Sequence, residues 1–341
     1  MTLPPWARRL RDTLVGQHEP RAVIERRHAR IVNWNAKVMG AALARMAYDR
    51  NVAGAGAPPV AEPVHAGLAG RLCRQEDIEA PWLRHWCGEL RMEPLYHRKV
   101  WEDCFVPQAL WEAGMLAPGK RALGFAVGAE ALPSLLASRG MTVVATDLDP
   151  ADRRASGWIE TDQHSAGRDA LFVPHLLDRA AFNARVTHRA ADMTRLPPDL
   201  QAGGFDVVWS VCAFEHLGSI EAGLRFVEEA MRCLRPGGIA VHTTEFNLIP
   251  DGPGVEHGET VLFRRRHLES LLERLCAAGH DPLPIDFDAG AGVLDRFVDT
   301  PPYGTAEDWP FAVAAGEVPH LKLAVEGCVS TSVALIVRAG G

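Results

Sequence analysis

No stretch of the 341-residue chain approaches the roughly 20 uninterrupted apolar residues that a membrane-spanning helix requires. The opening segment, MTLPPWARRLRDTL, carries arginines where a signal peptide has its apolar core, so a cytoplasmic protein is expected. The seven cysteines (Cys73, Cys87, Cys104, Cys212, Cys233, Cys276, Cys328) are odd in number and scattered, and no two are spaced as C-x-x-C. That excludes a disulfide framework and a zinc knuckle. Positive charge is not in excess either: 36 basic against 43 acidic residues leave −7, which argues against nonspecific nucleic-acid binding. The composition, 47% hydrophobic and 23% charged, is that of a folded globular protein and excludes disorder as the main state.

What charge there is falls unevenly. Residues 1–50 hold ten Arg or Lys and four Asp or Glu, a local +6 that leaves −13 for the remainder. A solvated helical face accounts for this more simply than a docking surface. Residues 1–52 read as a helical N-terminal region, because Gly occurs before position 50 only at 16 and 40, and Trp6, Leu10, Leu14, Ile24, Ile31, Val38 and Leu43 recur without strand-like alternation. Residues 53–67, rich in Gly, Ala and Pro, read as a linker, and residues 68–117 as a second helical region that stops at Ala117-Pro118-Gly119.

From Lys120 the texture changes to short apolar runs alternating with amphipathic helices, which predicts an α/β fold with a mostly parallel sheet. The runs are ALGFA (122–126), MTVVAT (141–146), ARVTHRAA (184–191), FDVVWS (205–210) and GIAVHTT (238–244). Between the last two, Ser219 is placed to cap a helix in which Ile220, Leu224, Val227, Met231 and Leu234 recur at helical spacing, and Pro236-Gly237-Gly238 is expected to stop it. LPIDF (283–287) and VSTSVALIVR (329–338) are expected to pair antiparallel at the sheet edge, with a long excursion between them over 289–328.

Ligands of open α/β sheets bind beyond the carboxyl ends of the strands. After the first strand comes G124-F-A-V-G128-A-E130, where Gly128 lets a backbone turn approach a ligand. Asp147, after the second strand, stands 19 residues beyond Gly128, the separation at which a carboxylate can accept from ribose hydroxyls. Asp192 follows the third strand, where it can accept from an adenine amino group or cap a helix. Glu215-His216 follows the fourth, and Thr243, Thr244, Glu245 and Asn247 end or follow the fifth.

Together with F-D206-V-V-W-S-V-C-A-F-E215-H216-L and L234-R-P-G-G, these residues resemble the class I S-adenosylmethionine-dependent methyltransferases over about residues 118–246. The resemblance implies a Rossmann-like seven-stranded sheet whose antiparallel last strand is VSTSVALIVR, in a domain spanning 118–341. It implies that S-adenosylmethionine is the cofactor and S-adenosylhomocysteine the product. Phe125, Ala126, Gly128 and Glu130 would form the turn on the methionine part, and Asp147 with Leu148 would meet the ribose. Asp192 with Met193 would meet the adenine, and Ser210 to Cys212 the sulfonium end.

The family's first motif reads acid-x-Gly-x-Gly-x-Gly, and here Gly124, Ala126, Gly128 and Glu130 hold those places. The missing acid removes one contact to the turn or the methionine amine, unless Glu130 or a residue of the N-terminal region supplies it. A nicotinamide cofactor fits less well, since its pyrophosphate requires G-x-G-x-x-G and positions 124, 126 and 129 are Gly, Ala and Ala.

For an alcohol acceptor, methyl transfer needs a base. His216 is the first candidate, with Glu215 or Glu245 orienting it or a substrate hydroxyl, because an imidazole ordinarily titrates near neutrality. The expected acceptor is a small molecule or glycan, through a sugar hydroxyl. The alternative is a binding or regulatory protein without turnover. The segment His97–Glu102 with Trp82, His85 and Trp86 can be read as a lid or, more simply, as core. No metal is expected: His242, Glu245, His257 and Glu259 lack a tight ligand spacing, and alternation sends His242 and Glu245 to opposite faces. Arg264-Arg265-Arg266 can meet an anion or simply be solvated. Oligomeric state is not encoded in any of these features.

Overall fold

A computed structural model describes residues 21–54, 62–156, 159, 164, 165, 167–252, 254–303 and 317–341. Four parallel ladders form the centre of its sheet. Strand β2 (Arg121–Phe125) lies between β3 (Thr142–Asp147) and β5 (Phe205–Val211); β4 (Val186–Ala190) flanks β3, and β6 (Leu234–Asn247) flanks β5. The long β10 (Cys328–Arg338) then runs antiparallel to β6, from Ser330 opposite Asn247 to Arg338 opposite Ile239. The order β4-β3-β2-β5-β6-β10, with the last strand reversed, is the Rossmann-like arrangement of the class I methyltransferases.

Beyond β10 the sheet departs from expectation. LPIDF is split. The two residues of β7 (Asp281–Pro282) pair with β10, whereas β8 (Ile285–Asp286) pairs with β1 (Gly70–Leu72). Pro284 has no N–H to continue the ladder on β10, and the chain turns away there. Strand β1 itself lies in the stretch expected to be helical, and it pairs antiparallel with β10 through Arg71 opposite Ala334. Three residues carry no periodic signal; the exposed edge of β10 recruits them. β9 (Leu323–Val325) also adds to β10.

The N-terminal region forms one helix, α1 (Arg21–Gly54); the expected helical part before Arg21 and most of the linker lie outside the described residues. α1 is tied to the 289–303 segment by a buried ion pair, Lys37 Nζ to Asp299 Oδ1 at 2.5 Å. α2 (Gln75–Ile78), α3 (Pro81–Leu90) and α4 (Arg98–Glu112) follow β1. Trp82 and Trp86 of α3 are buried in the core with Trp101 and Phe105 of α4, so these tryptophans are packing residues. α5 (Leu132–Ser138), α6 (Arg179–Arg185) and α7 (Pro198–Gln201) complete the first half of the α/β unit.

Ser219 caps α8 (Ile220–Met231) by accepting from the Ala222 amide at 3.2 Å, as its sequence predicts. The helix stops at Met231, and Leu234 already belongs to β6, with the register slipping between Phe205 and Val207. α8 and α9 (Arg265–Ala277) cover one sheet face through Phe226, Val227, Leu268 and Leu271; α3, α4 and α5 cover the other. Alternation along β5 sends Val207 and Trp209 to the α4 side and Val208 to the α8 side. Among the described residues no helix is long and apolar enough to cross a membrane.

Candidate active site

Because β4, β3, β2, β5 and β6 run in the same direction side by side, their carboxyl ends form a row, and the expected residues stand along it in the order Asp192, Asp147, 125–130, 212–216, 243–247. The first turn leaves β2 at Phe125, whose ring packs edge-on against Phe226 at 5.2 Å. Ala126 (φ +48°) and Gly128 (φ +52°) are both left-handed, a costly conformation for alanine that the surrounding bonds must hold. They do so from β3: the Val127 amide donates to the Thr146 carbonyl at 3.1 Å and the Gly128 amide to Asp147 Oδ2 at 3.2 Å. Asp147 also accepts from the Ser165 amide at 3.0 Å and, on Oδ1, from the Leu148 amide at 2.8 Å. A carboxylate takes about four such bonds, so Asp147 anchors the turn and retains acceptor capacity on Oδ1.

Farther along, Asp192 accepts from the Thr194 amide at 2.8 Å and hydroxyl at 2.7 Å, and pairs with Arg154 Nη2 at 2.7 Å. Burial works against its charge, but these donors outweigh it and hold its pKa below the ordinary value. Met193 is buried in an apolar cluster with Ala191 and Leu196. The row therefore presents carboxylates to groups that donate hydrogen bonds. Ribose hydroxyls, an adenine amine and an ammonium are such groups, so the donor and acceptor chemistry fits S-adenosylmethionine.

At the β5 and β6 ends, α4 enters the site. His97 caps it, Nδ1 accepting from the Lys99 amide at 3.1 Å, and Arg98 reaches inward. Arg98 Nη2 binds Glu245 Oε1 at 2.5 Å, and Nη1 lies 3.1 Å from Cys212 Sγ and 3.2 Å from Glu102 Oε1. Glu102, fully buried, also binds Lys99 Nζ at 3.2 Å and accepts from the Ser332 hydroxyl. Ser330 donates to Glu245 at 3.2 Å. Glu245 is thus committed to Arg98 and Ser330. Cys212 adopts φ +44°, its amide bonded to the Thr243 carbonyl at 3.0 Å, and burial raises its thiol pKa well above the usual value.

Glu215 and His216 lie on the short turn after β5. Thr244 donates to Glu215 Oε2 at 2.9 Å, while Oε1 is buried and accepts no hydrogen bond. Burial raises the Glu215 pKa; His216 opposes the rise, and Glu245 adds to it. His216 Nδ1 is 2.9 Å from the Glu259 carbonyl and 3.1 Å from the Thr260 hydroxyl. A carbonyl only accepts, so Nδ1 carries the proton and Nε2 is the lone-pair nitrogen of the neutral ring. Nε2 stands 3.9 Å from Glu215 Oε1.

Ser210 is placed elsewhere. Its hydroxyl is buried on the α8 face, 2.7 Å from His242 Nδ1, and faces away from the row of strand ends. His242 packs against Phe214 and Phe226, and burial pushes its pKa down to about 3. Among the described residues no three His, Cys, Asp or Glu form a metal-binding group. Arg265 and Arg266 pair with Glu269 and Glu256, and Arg264 is buried against the Gly252 carbonyl. Sequence reasoning placed Arg98, Lys99 and Glu102 in a candidate lid without giving them a role and missed Asp103; four charges within two turns of a helix that also carries Trp101 and Phe105 are the signal that could have found it.

A family model described as a methyltransferase domain matches residues 123–242. A search of curated proteins gives no match. Among solved structures, the chain is similar to a protein of Galdieria sulphuraria assigned as a sarcosine dimethylglycine methyltransferase, at 14% identity over 70% of this chain and 84% of that one, with a TM-score of 0.44. It is also similar to an O-methyltransferase family protein of Burkholderia thailandensis (13% identity, 72% and 60% covered, TM-score 0.37). A third is the phosphoethanolamine N-methyltransferase 2 of Haemonchus contortus (14% identity, 68% and 51% covered, TM-score 0.38).

Proposed function

Since residues 123–242 are a methyltransferase domain within a class I S-adenosylmethionine-dependent sheet, we propose that this enzyme methylates a hydroxyl of a small polar molecule or glycan, with His216 as the base. The observation that carries the assignment is the fixed ring of His216: Nδ1 is held by the Glu259 carbonyl, and Nε2 is the nitrogen able to take a proton. S-adenosylmethionine supplies an electrophilic methyl when bound. The acceptor oxygen would be the nucleophile toward that methyl, and His216 Nε2 would take its proton. Glu215 Oε1 faces that nitrogen from 3.9 Å, and in its ionised form it would stabilise the imidazolium.

Gly128, Asp147, Leu148 and Asp192 would hold the turn, ribose and adenine, with Phe125 and Ala126 fixing the turn's path and Met193 its apolar flank. Glu245 orients the acceptor side only through Arg98. A cytoplasmic location belongs to the same proposal and rests on seven scattered cysteines with no C-x-x-C pair. The test is S-adenosylhomocysteine production from a panel of polyols, monosaccharides and short glycans beside matched amines. Turnover on hydroxyls that is lost in His216→Ala supports the proposal. Turnover on amines alone, or binding of S-adenosylmethionine with no turnover on any acceptor, counts against it.

A further inference from the structure

Position 124, where the family's first motif carries an acid, is glycine for a steric reason visible in the fold. A Cβ on Gly124 would stand 2.3 Å from Cζ2 of Trp209, whose indole lies across the glycine from the adjacent strand. The space of the missing side chain is filled by a ring. That ring is not inert: its Nε1 donates to Glu130 Oε2 at 3.3 Å, and Glu130 holds the place of the motif's last glycine. The same indole that excludes an acid at 124 therefore fixes another acid at 130, on the turn that begins at Ala126.

The first half of α4 covers the sheet face on which Trp209 lies. Asp103 is partly buried there and its carboxylate accepts no hydrogen bond among the described residues. Lys99 lies one helical turn before it, so the two share a face. The charges around Glu130 come from that helix: Asp103 and Glu102 push its pKa up, after burial, and Lys99 pulls it down. Two carboxylates and an ammonium, beside a turn that Asp147 anchors through the Gly128 amide, complement a zwitterion.

We propose that Glu130, positioned by Trp209, and Asp103 together receive the α-ammonium of the cofactor's methionine part, with Lys99 beside them for its carboxylate; the acidic subsite has moved from position 124 to a turn residue and a helix outside the matched domain. The proposal rests on S-adenosylmethionine being the cofactor. It also gives a use to two acids held at raised pKa values, by burial first and then by a neighbouring carboxylate, Glu102 for Asp103 and Asp103 for Glu130: a cation beside them favours their ionised forms.

Calorimetric titration of the full chain with S-adenosylmethionine and with 5′-methylthioadenosine tests it. The second ligand keeps adenine, ribose and sulfur and lacks the amino-acid end. Glu130→Gln and Asp103→Asn, both isosteric, should each weaken S-adenosylmethionine by about 10- to 100-fold and change methylthioadenosine by less than about twofold. Trp209→Phe keeps a ring over Gly124 and removes the N–H, and it should weaken S-adenosylmethionine selectively by a smaller factor. In the wild type, S-adenosylmethionine affinity should fall with falling pH as the acids protonate, while methylthioadenosine affinity stays level. Equal losses for both ligands, or an unchanged S-adenosylmethionine affinity in both acid variants, overturn the subsite while leaving the cofactor assignment in place. A wild-type protein that binds neither ligand overturns the assignment, and the subsite with it.

Discussion

A base acts only if its lone pair is on the correct nitrogen, and for His216, the base proposed above, that is decided by the Glu259 carbonyl on a different segment. His216→Ala should lower kcat by about 10² or more with little change in S-adenosylmethionine affinity, because the interaction lost is made in the transition state. His216→Asn keeps a donor for the Glu259 carbonyl but no proton acceptor, so a similar loss is expected; retention of most activity in the asparagine variant would move the base elsewhere. Glu215 gives an independent handle. Its pKa is raised, so on acidification it protonates above the ordinary carboxylate range and ceases to stabilise the imidazolium. The acid limb of the kcat profile should therefore shift in Glu215→Gln, and a limb at the same pH in both proteins would uncouple the pair. Asp147→Ala should weaken S-adenosylmethionine by roughly 10- to 150-fold. The Gly128 and Ser165 amides also lose their acceptor, so a lower melting temperature should accompany the weaker binding.

Elements differ in how much of their position the sequence carries. Strands β2, β3, β5 and β6 are apolar runs buried on both faces, and parallel packing makes such runs conspicuous. The placement of Asp147 beside Gly128 follows directly from two adjacent parallel strands. Ser210 is equally decidable: it ends the run FDVVWS, and alternation with Trp209 sends it to the α8 face. Strand β1 was not decidable: Gly70-Arg71-Leu72 becomes a strand only because β10 offers an unpaired edge. Arg98 is likewise invisible, being an arginine at a helix start whose partners, Glu245 and Cys212, are more than a hundred residues away. Both elements tie the N-terminal region to the catalytic half. A chain beginning near Pro118 would lose β1 from the sheet and expose the core face under α4, and it should fail to fold cooperatively or bind S-adenosylmethionine. Normal binding by that fragment would make the N-terminal region dispensable. A milder test is Arg98→Met, which leaves Glu245 buried without its cation; a loss of about 3 to 5 kcal/mol in unfolding free energy is expected from denaturant titration.

For the whole molecule, the acids divide into two sets with opposite effects on stability. Asp206 and Asp299 are held below the ordinary carboxylate range because, although burial opposes their charge, amide, lysine, arginine or histidine partners outweigh it. Their contribution is present above the unfolded pKa and is lost as pH falls through the lower folded value. Asp103 behaves in the opposite way. Burial and then the Glu102 charge push its pKa up to about 7, against the pull of Lys99. Between the unfolded value near 4 and about 7 the folded state holds a proton that the unfolded state has released, so stability declines across that window as pH rises, and the penalty is complete above it. A group kept at a cost to the fold is most simply kept for a ligand. Asp103→Asn should therefore raise the melting temperature of the ligand-free protein at pH 8.5, and the gain should shrink as the pH approaches 4.5, where the wild-type side chain is neutral in the folded state. Saturating S-adenosylmethionine should reverse the order at pH 8.5, because the wild type recovers the ionised form against an ammonium and the variant does not. Equal melting temperatures for the two proteins at both pH values, with and without ligand, would mean that Asp103 carries neither the stability cost nor the binding role assigned to it.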